Sequence, residues 1–246
     1  MKRSGAYRRN HMSYIQVDNL MKQYGSGEAA VKAIRGMSFD IEEGEFVGIM
    51  GESGSGKSTL LCMMGALNSP TSGRYTVDGI DVYGLGQDQR AEFRREFVGF
   101  VFQTFHLIPY LTVLENTMLP LTTLRLKGQR KRDMAGYALE RVGLGNKSKR
   151  LPSEVSGGEQ ERVAIARAIA NEPPILLADE PTGNLDTKTS RGIMDLFQNL
   201  NNDGATIVMV THSPDCARYA SRILQVCDGL LARQEPRLRE LKSQLG

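Results

Sequence analysis

Two hydrophobic rhythms run through the chain. Over residues 13–50 apolar positions recur every second residue, Ile15 with Val17 and then Met37, Phe39 and Ile41. That is the period of a strand with one buried face. Residues 74–83 read as a hairpin, because Asp78-Gly79 is a favoured two-residue turn. Together these segments predict an antiparallel sheet near the N-terminus. The second rhythm has no alternation. Phe46–Met50, Ile175–Ala178 and Ile207–Val210 are short, near-continuous apolar runs, each followed by polar or Gly-rich residues. Strands buried on both faces of a parallel sheet have this appearance.

Helical patterns separate these runs, so the fold expected is α/β. Residues 104–157 are rich in charge and poor in strand signals, and are read as a helical subdomain inserted in the α/β core. The main domain is placed at 13–232, after a solvated N-terminal tail over 1–12 that carries Lys2, Arg3, Arg8 and Arg9. Over 233–246, Leu238, Leu241 and Leu245 are spaced as a short amphipathic helix.

Composition narrows the function. The 246 residues carry 31 basic and 28 acidic side chains, a net charge of +3, which makes no case for nucleic acid as the main ligand. Cys62, Cys216 and Cys227 form no CxxC pair and are read as buried thiols in a reducing compartment. No apolar run approaches the roughly 18 residues that span a bilayer. The basic start is not followed by the apolar core of a signal peptide. A cytoplasmic protein is expected, reaching a membrane only through a partner.

The chemistry begins at Gly51-Glu52-Ser53-Gly54-Ser55-Gly56-Lys57-Ser58, a G-x-x-x-x-G-K-[ST] sequence between an apolar strand and a helical run opening at Thr59. Glycines let backbone N–H groups turn inward around phosphate oxygens, and the helix start adds unpaired N–H groups and its positive dipole end. Lys57 supplies a full charge for the β and γ phosphates of ATP, and the Ser58 hydroxyl is placed to ligate Mg²⁺. The run Ile175–Ala178 then ends in Asp179 and Glu180. Two adjacent carboxylates at a strand end are costly without a cation nearby. Asp179 is therefore read as the metal-side acid, and Glu180 as the group that polarises the attacking water.

Phosphate loop and strand-end acid are common to several ATPase and GTPase classes. Val155-Ser156-Gly157-Gly158-Glu159-Gln160-Glu161-Arg162 separates them. Ser156 and Glu159 form a capping box opening a helix over Gln160–Ala170, and the two glycines leave its start bare for an anion. The octapeptide resembles the signature of ABC ATPases, and the resemblance covers about residues 13–232. It implies a RecA-like P-loop core with an antiparallel β-subdomain and a helical subdomain. It also implies ATP hydrolysis in a head-to-tail homodimer, with Ser156, Gly157, Gly158 and Glu159 touching the γ-phosphate held by the opposite subunit. On the same resemblance Gln103 senses Mg²⁺ and the attacking water, and Asp186, in Gly183-Asn184-Leu185-Asp186, reaches across the dimer. His212 contacts the γ-phosphate, and Tyr24 stacks on adenine. Two positions depart from the usual signature: Val155 replaces leucine, and Glu159 replaces glutamine, adding negative charge near the partner's nucleotide.

Within the family, Phe102-Gln103-Thr104-Phe105-His106-Leu107-Ile108-Pro109, the following Leu111–Asn116, Glu180–Asp186 and the Gly158-Glu159-Gln160 variant itself resemble the MacB/LolD group, to which FtsE is related, so the Glu159 departure fits this branch. This implies an integral membrane permease as partner, of the export or lipoprotein-release kind, with peripheral attachment to the inner face of the membrane. The alternative implied is an FtsE-like ATP-dependent switch that transports nothing. Phe105, Leu107, Ile108, Tyr110 and Leu111 are expected to line a groove for a permease helix, to pack the helical subdomain, or both.

Overall fold

The computed structural model describes residues 13–236. In chain order the elements are β1 (Ile15–Tyr24), β2 (Val31–Ile41), β3 (Phe46–Met50), α1 (Lys57–Met64), β4 (Ser72–Val77), β5 (Ile80–Asp81), α2 (Gln87–Phe97), β6 (Val98–Val101), α3 (Val113–Met118), α4 (Gly128–Arg141), α5 (Gly157–Ile169), β7 (Ile175–Asp179), α6 (Thr187–Asn202), β8 (Thr206–Val210), α7 (Pro214–Ala217), β9 (Arg222–Cys227) and β10 (Leu230–Pro236).

The alternating segments form a four-stranded antiparallel sheet in the order β2-β1-β4-β5. Register pairs Ile15 with Ile41 and Val77, and Val17 with Phe39 and Tyr75, so one face is a continuous apolar layer. The layer changes phase after Val17: the next buried residue of β1 is Leu20, and a bulge at Asp18 and Asn19 absorbs the extra residue. The hairpin turns at Asp78 and Gly79, both at positive φ (47° and 76°), the conformation that matches strand twist.

The continuous runs form the second sheet, in the order β10-β9-β3-β8-β7-β6, parallel from β9 to β6 with β10 antiparallel at the edge. Their lack of alternation has a direct cause: both faces are covered. Ile175 and Leu177 pack with α1 and the antiparallel sheet, whereas Leu176 and Ala178 pack with α5, α6 and the helical subdomain. The parallel strands end together, and at that end lie the phosphate loop, the acids of β7 and the turn after β8.

Three boundaries and the burial of the thiols differ from the sequence expectation. The apolar run Phe97–Phe102 reads as one strand, but β6 covers only Val98–Val101, because Phe97 closes α2 and stacks on Phe93. The helix at the signature begins at Gly157, because the Ser156 cap starts it before any good helix former. The strand at the C-terminal edge runs on through Arg233 to Pro236, held by pairing with β9; the helix expected beyond falls on residues outside those described. Of the thiols, Cys216 is buried, Cys62 is half-buried and Cys227 is exposed, so burial holds for one cysteine, not three.

Candidate active site

The phosphate loop leaves β3 and winds into α1. Gly56, the residue before α1, sits at φ 102° with an ideal Cβ only 2.4 Å from the Ala33 carbonyl oxygen, so only glycine lets the loop pass that close to β2. Lys57 is nearly buried at 8% exposure, and its ammonium donates to the carbonyls of Gly51 and Glu52 at 2.8 and 2.7 Å. These bonds fold the lysine over its own loop. Ser55 is buried and its hydroxyl meets no partner, which fits a loop shaped around an acceptor-rich group. Glu52, Ser53, Gly54 and Ser58 are exposed, and Thr59 is half-buried in the first turn of α1.

Ser58 Oγ donates to Asp179 Oδ1 at 3.1 Å, bringing together the two hard oxygen donors expected to share Mg²⁺. Burial pushes the Asp179 carboxyl up and Glu180 adds to the rise, opposed by the Ser58 hydrogen bond. A cation held there would relieve that burden, so the donor set fits the metal. Glu180 leaves β7 in the left-handed region at φ 51°, a costly conformation for a side chain with a Cβ. It aims the carboxylate at His212, whose Nδ1 lies 2.8 Å from Oε2, and the His212 backbone N–H reaches the same oxygen at 3.4 Å. Glu180 is mostly enclosed and His212 mostly exposed, at 13% and 70% side-chain exposure. A cleft of about 420 Å³ opens beside them, lined by Leu185, Arg191, Asp215 and Tyr219 among others, and by no residue of 51–58.

Gln103 follows β6 and is exposed; its carbonyl accepts from Asn184 Nδ2 at 3.1 Å. Asp186 caps α6, accepting from the backbone of Lys188 and Thr189; the Thr189 hydroxyl, which donates to Asp186 Oδ2 at 2.5 Å, and after it these backbone bonds hold the carboxyl below the usual range. Phosphate loop, Ser58, Asp179, Glu180, Gln103 and His212 therefore gather at the carboxyl ends of the parallel strands. Tyr24 lies at the far end of β1, 43% exposed, with its hydroxyl accepting from Asn68 Nδ2 at 2.5 Å and Lys22 Nζ 4.9 Å from its ring centre.

The signature turn stands apart. Ser156 accepts from Glu159 N–H and Glu159 Oε2 accepts from Ser156 N–H, a complete capping box. Gly158 packs so tightly on Thr189 that an added Cβ would lie 2.3 Å from its methyl. Ser156 and Gly157 are exposed, and among the described residues no hydrogen bond or ion pair joins 156–159 to 51–59.

Three contacts had no motif to announce them. Asn68 fixes Tyr24. Lys147 binds Glu159 at 2.5 Å from twelve residues away. Arg167 on α5 donates to the carbonyls of Phe105 and His106, both at 2.7 Å, tying the segment after Gln103 to the signature helix.

The strand–loop–helix cradle with a paired hydroxyl and carboxylate at the carboxyl ends of the parallel strands defines a P-loop NTPase, and the separate capped turn on α5 narrows the class. The chain belongs to the ABC transporter family, whose model matches residues 34–183, and it is an ATPase of that type. It is 47% identical over 223 residues to the macrolide export ATP-binding/permease protein MacB of Syntrophobacter fumaroxidans, covering 89% of this chain and 31% of that protein. The chain thus spans about a third of such a relative's length. It is 46% identical over 226 residues to the ABC transporter ATP-binding protein MJ0796 of Methanocaldococcus jannaschii, covering 90% of this chain and 96% of the other. A dimeric structure of the MJ0796 cassette in a post-hydrolysis state, bound to ADP and Pi, superposes with a TM-score of 0.83 at 45% identity, over 90% of this chain and 98% of that one. No described helix is long and apolar enough to cross a membrane.

Proposed function

We propose that two copies of this chain close head to tail on two ATP molecules, and that the cycle drives an integral membrane permease of the export or lipoprotein-release type. One observation carries the reading: the phosphate loop presents Glu52, Ser53, Gly54 and Ser58 to solvent, the capped turn presents Ser156 and Gly157, and among the described residues no hydrogen bond or ion pair joins the two, so each is half of a site that a second copy would complete.

In this reading Lys57 leaves its loop carbonyls for the β and γ phosphates, Tyr24 stacks on adenine, and Ser156 to Gly158 of the opposite copy donate to the γ-phosphate. Ser58, Asp179 and Gln103 hold Mg²⁺, which neutralises phosphate charge when bound. Glu180 orients and deprotonates the attacking water, and His212, already hydrogen-bonded to Glu180, contacts the γ-phosphate. Asp186 reaches across the interface. Once the γ-phosphate is cleaved the bridge between the copies is gone, and ADP has no differential hold on the closed state.

The permease would meet the segment after Gln103. Tyr110 is 78% exposed there, while Leu107 packs into the core and Phe105, Ile108 and Leu111 are half-buried. Buried Asn116 holds that segment in shape, accepting from Ile108 N–H and donating to the carbonyls of Ile108, Leu111 and Thr112. The test is Glu180→Gln in gel filtration: ATP should convert the variant to a long-lived dimer that ADP does not support. A variant that stays monomeric in ATP and hydrolyses at the parent rate would refute the proposal.

A further inference from the structure

Glu159 puts a carboxylate in the first turn of α5, the helix start that the sandwich would present to a triphosphate. An unbalanced negative charge there would oppose closure, since like charges brought together in a partly dry interface repel strongly. The capping box alone does not remove that charge; it only occupies one oxygen.

The other oxygen is taken by Lys147. Its ammonium lies 2.5 Å from Glu159 Oε1, while Oε2 accepts the Ser156 N–H at 3.0 Å, so both oxygens are turned back onto the chain. The pair is partly withdrawn from solvent, at 36% and 26% side-chain exposure. The Lys147 hydrogen bond, with the Ser156 amide, holds the Glu159 carboxyl below its ordinary range, so the group remains an anion in need of a counter-charge. Lys147 is itself fixed: it closes the short 3-10 turn Gly145–Lys147 after α4, donating its N–H to Leu144 and accepting from Arg150 N–H, both at 2.9 Å. Of the neighbouring charges, Arg150 is engaged with Glu154 at 3.5 Å, and no ion pair besides Lys147 reaches Glu159 among the described residues.

We propose that Lys147 is a positioning residue of the composite ATP site: by pairing with Glu159 it cancels the one negative charge on the signature turn and keeps the free amides of α5 available to the partner's phosphate. The proposal rests on the head-to-tail reading above. It makes the glutamate and the lysine a matched set, so that neither position should be read without the other.

The experiment measures ATP-induced dimerisation of the full chain by analytical ultracentrifugation, in the Glu180→Gln background and across a range of Mg-ATP concentrations. Lys147→Met should raise the ATP concentration for half-dimerisation about tenfold, with Lys147→Gln repeating the defect and Lys147→Arg retaining the parent value. Added salt should narrow the gap, because it screens repulsion across the interface. With Glu159→Gln also present, the step from Lys147 to Met should shrink to less than about twofold. Unchanged dimerisation of both neutral variants would overturn the proposal, as would a defect that persists undiminished alongside Glu159→Gln. Failure of the Glu180→Gln parent to dimerise in ATP would strike the sandwich reading instead.

Discussion

The hydroxyl of Ser58 donates to the carboxylate of Asp179 across 3.1 Å, joining residues 121 positions apart and clamping the first turn of α1 to the exit of β7. Nothing in either local sequence requires that contact; the parallel pairing of β3 with β8, and of β8 with β7, brings the two strand ends together. If these oxygens share Mg²⁺, Ser58→Ala and Asp179→Asn should each remove at least about tenfold of the tightening that Mg²⁺ confers on ATP, while leaving binding in EDTA close to the parent's. Fluorescent-nucleotide titrations with and without Mg²⁺ read this directly. Parent-like Mg²⁺ dependence in both variants would exclude the assignment.

Tyr24 presents a ring that is held at its hydroxyl by Asn68 and approached by Lys22. Base stacking on an aromatic ring contributes about 1 to 3 kcal/mol. Tyr24→Ala should therefore weaken ATP by roughly five- to a hundredfold, whereas Tyr24→Phe keeps most of the affinity. Inorganic tripolyphosphate, which has no base, should compete equally well with all three proteins. A tripolyphosphate affinity that falls in step with ATP would show that the substitution damages the cradle and not a base platform.

The parts of the fold that were legible in the sequence are those in which one local pattern has one physical cause. Ile175 to Ala178 reads as a doubly covered strand because it is one, and Ser156 with Glu159 reads as a cap because both partners lie within a single turn. Legibility fails where the cause is distant. The bulge in β1 left only a spacing of three in place of two between Val17 and Leu20 as its trace. The extension of the last strand to Pro236 depends on pairing with β9, while the leucines beyond it suggested a helix. Lys147, Asn68 and Arg167 carry no motif, since each acts on a partner that only the folded chain brings near. The negative charge of Glu159 was visible from its residue type; its neutralisation was not.

Arg167 is the sole side chain shown bonding to the carbonyls of Phe105 and His106 among the described residues. The forked guanidinium suits two neighbouring acceptors, which one ammonium cannot serve with the same geometry. Each hydrogen bond to a charged donor is worth about 1.5 to 3 kcal/mol. Arg167→Ala should thus lower the melting temperature by several degrees, at about 2 to 4 °C per kcal/mol for a domain of this size, and Arg167→Lys should recover less than half of the loss. Amide exchange over 104–111 should quicken in both variants. Unaltered exchange in that segment would mean that the clamp does not hold it.

Glu161 lies within the signature octapeptide, in the first turns of α5, and faces inward, 1% exposed, with Oε1 unpartnered. Burial pushes its carboxyl up to about 8, against the pull of Arg167. An unfolded glutamate loses its proton near pH 4.3, whereas the folded chain keeps it to about 8. Across that window the native state binds more protons, so this group makes stability fall as pH rises, and the loss levels off above the folded value. Glu161→Gln keeps the shape and never ionises. Its melting temperature relative to the parent should match below about pH 4, climb through neutral pH and reach a plateau several degrees higher above about pH 8. Taking the difference between the two proteins at each pH cancels every group they share. A difference that stays flat, or that favours the parent as pH rises, would show that the buried carboxyl is ionised and paired in the native state, with Arg167 the charge that pulls on it among the described residues.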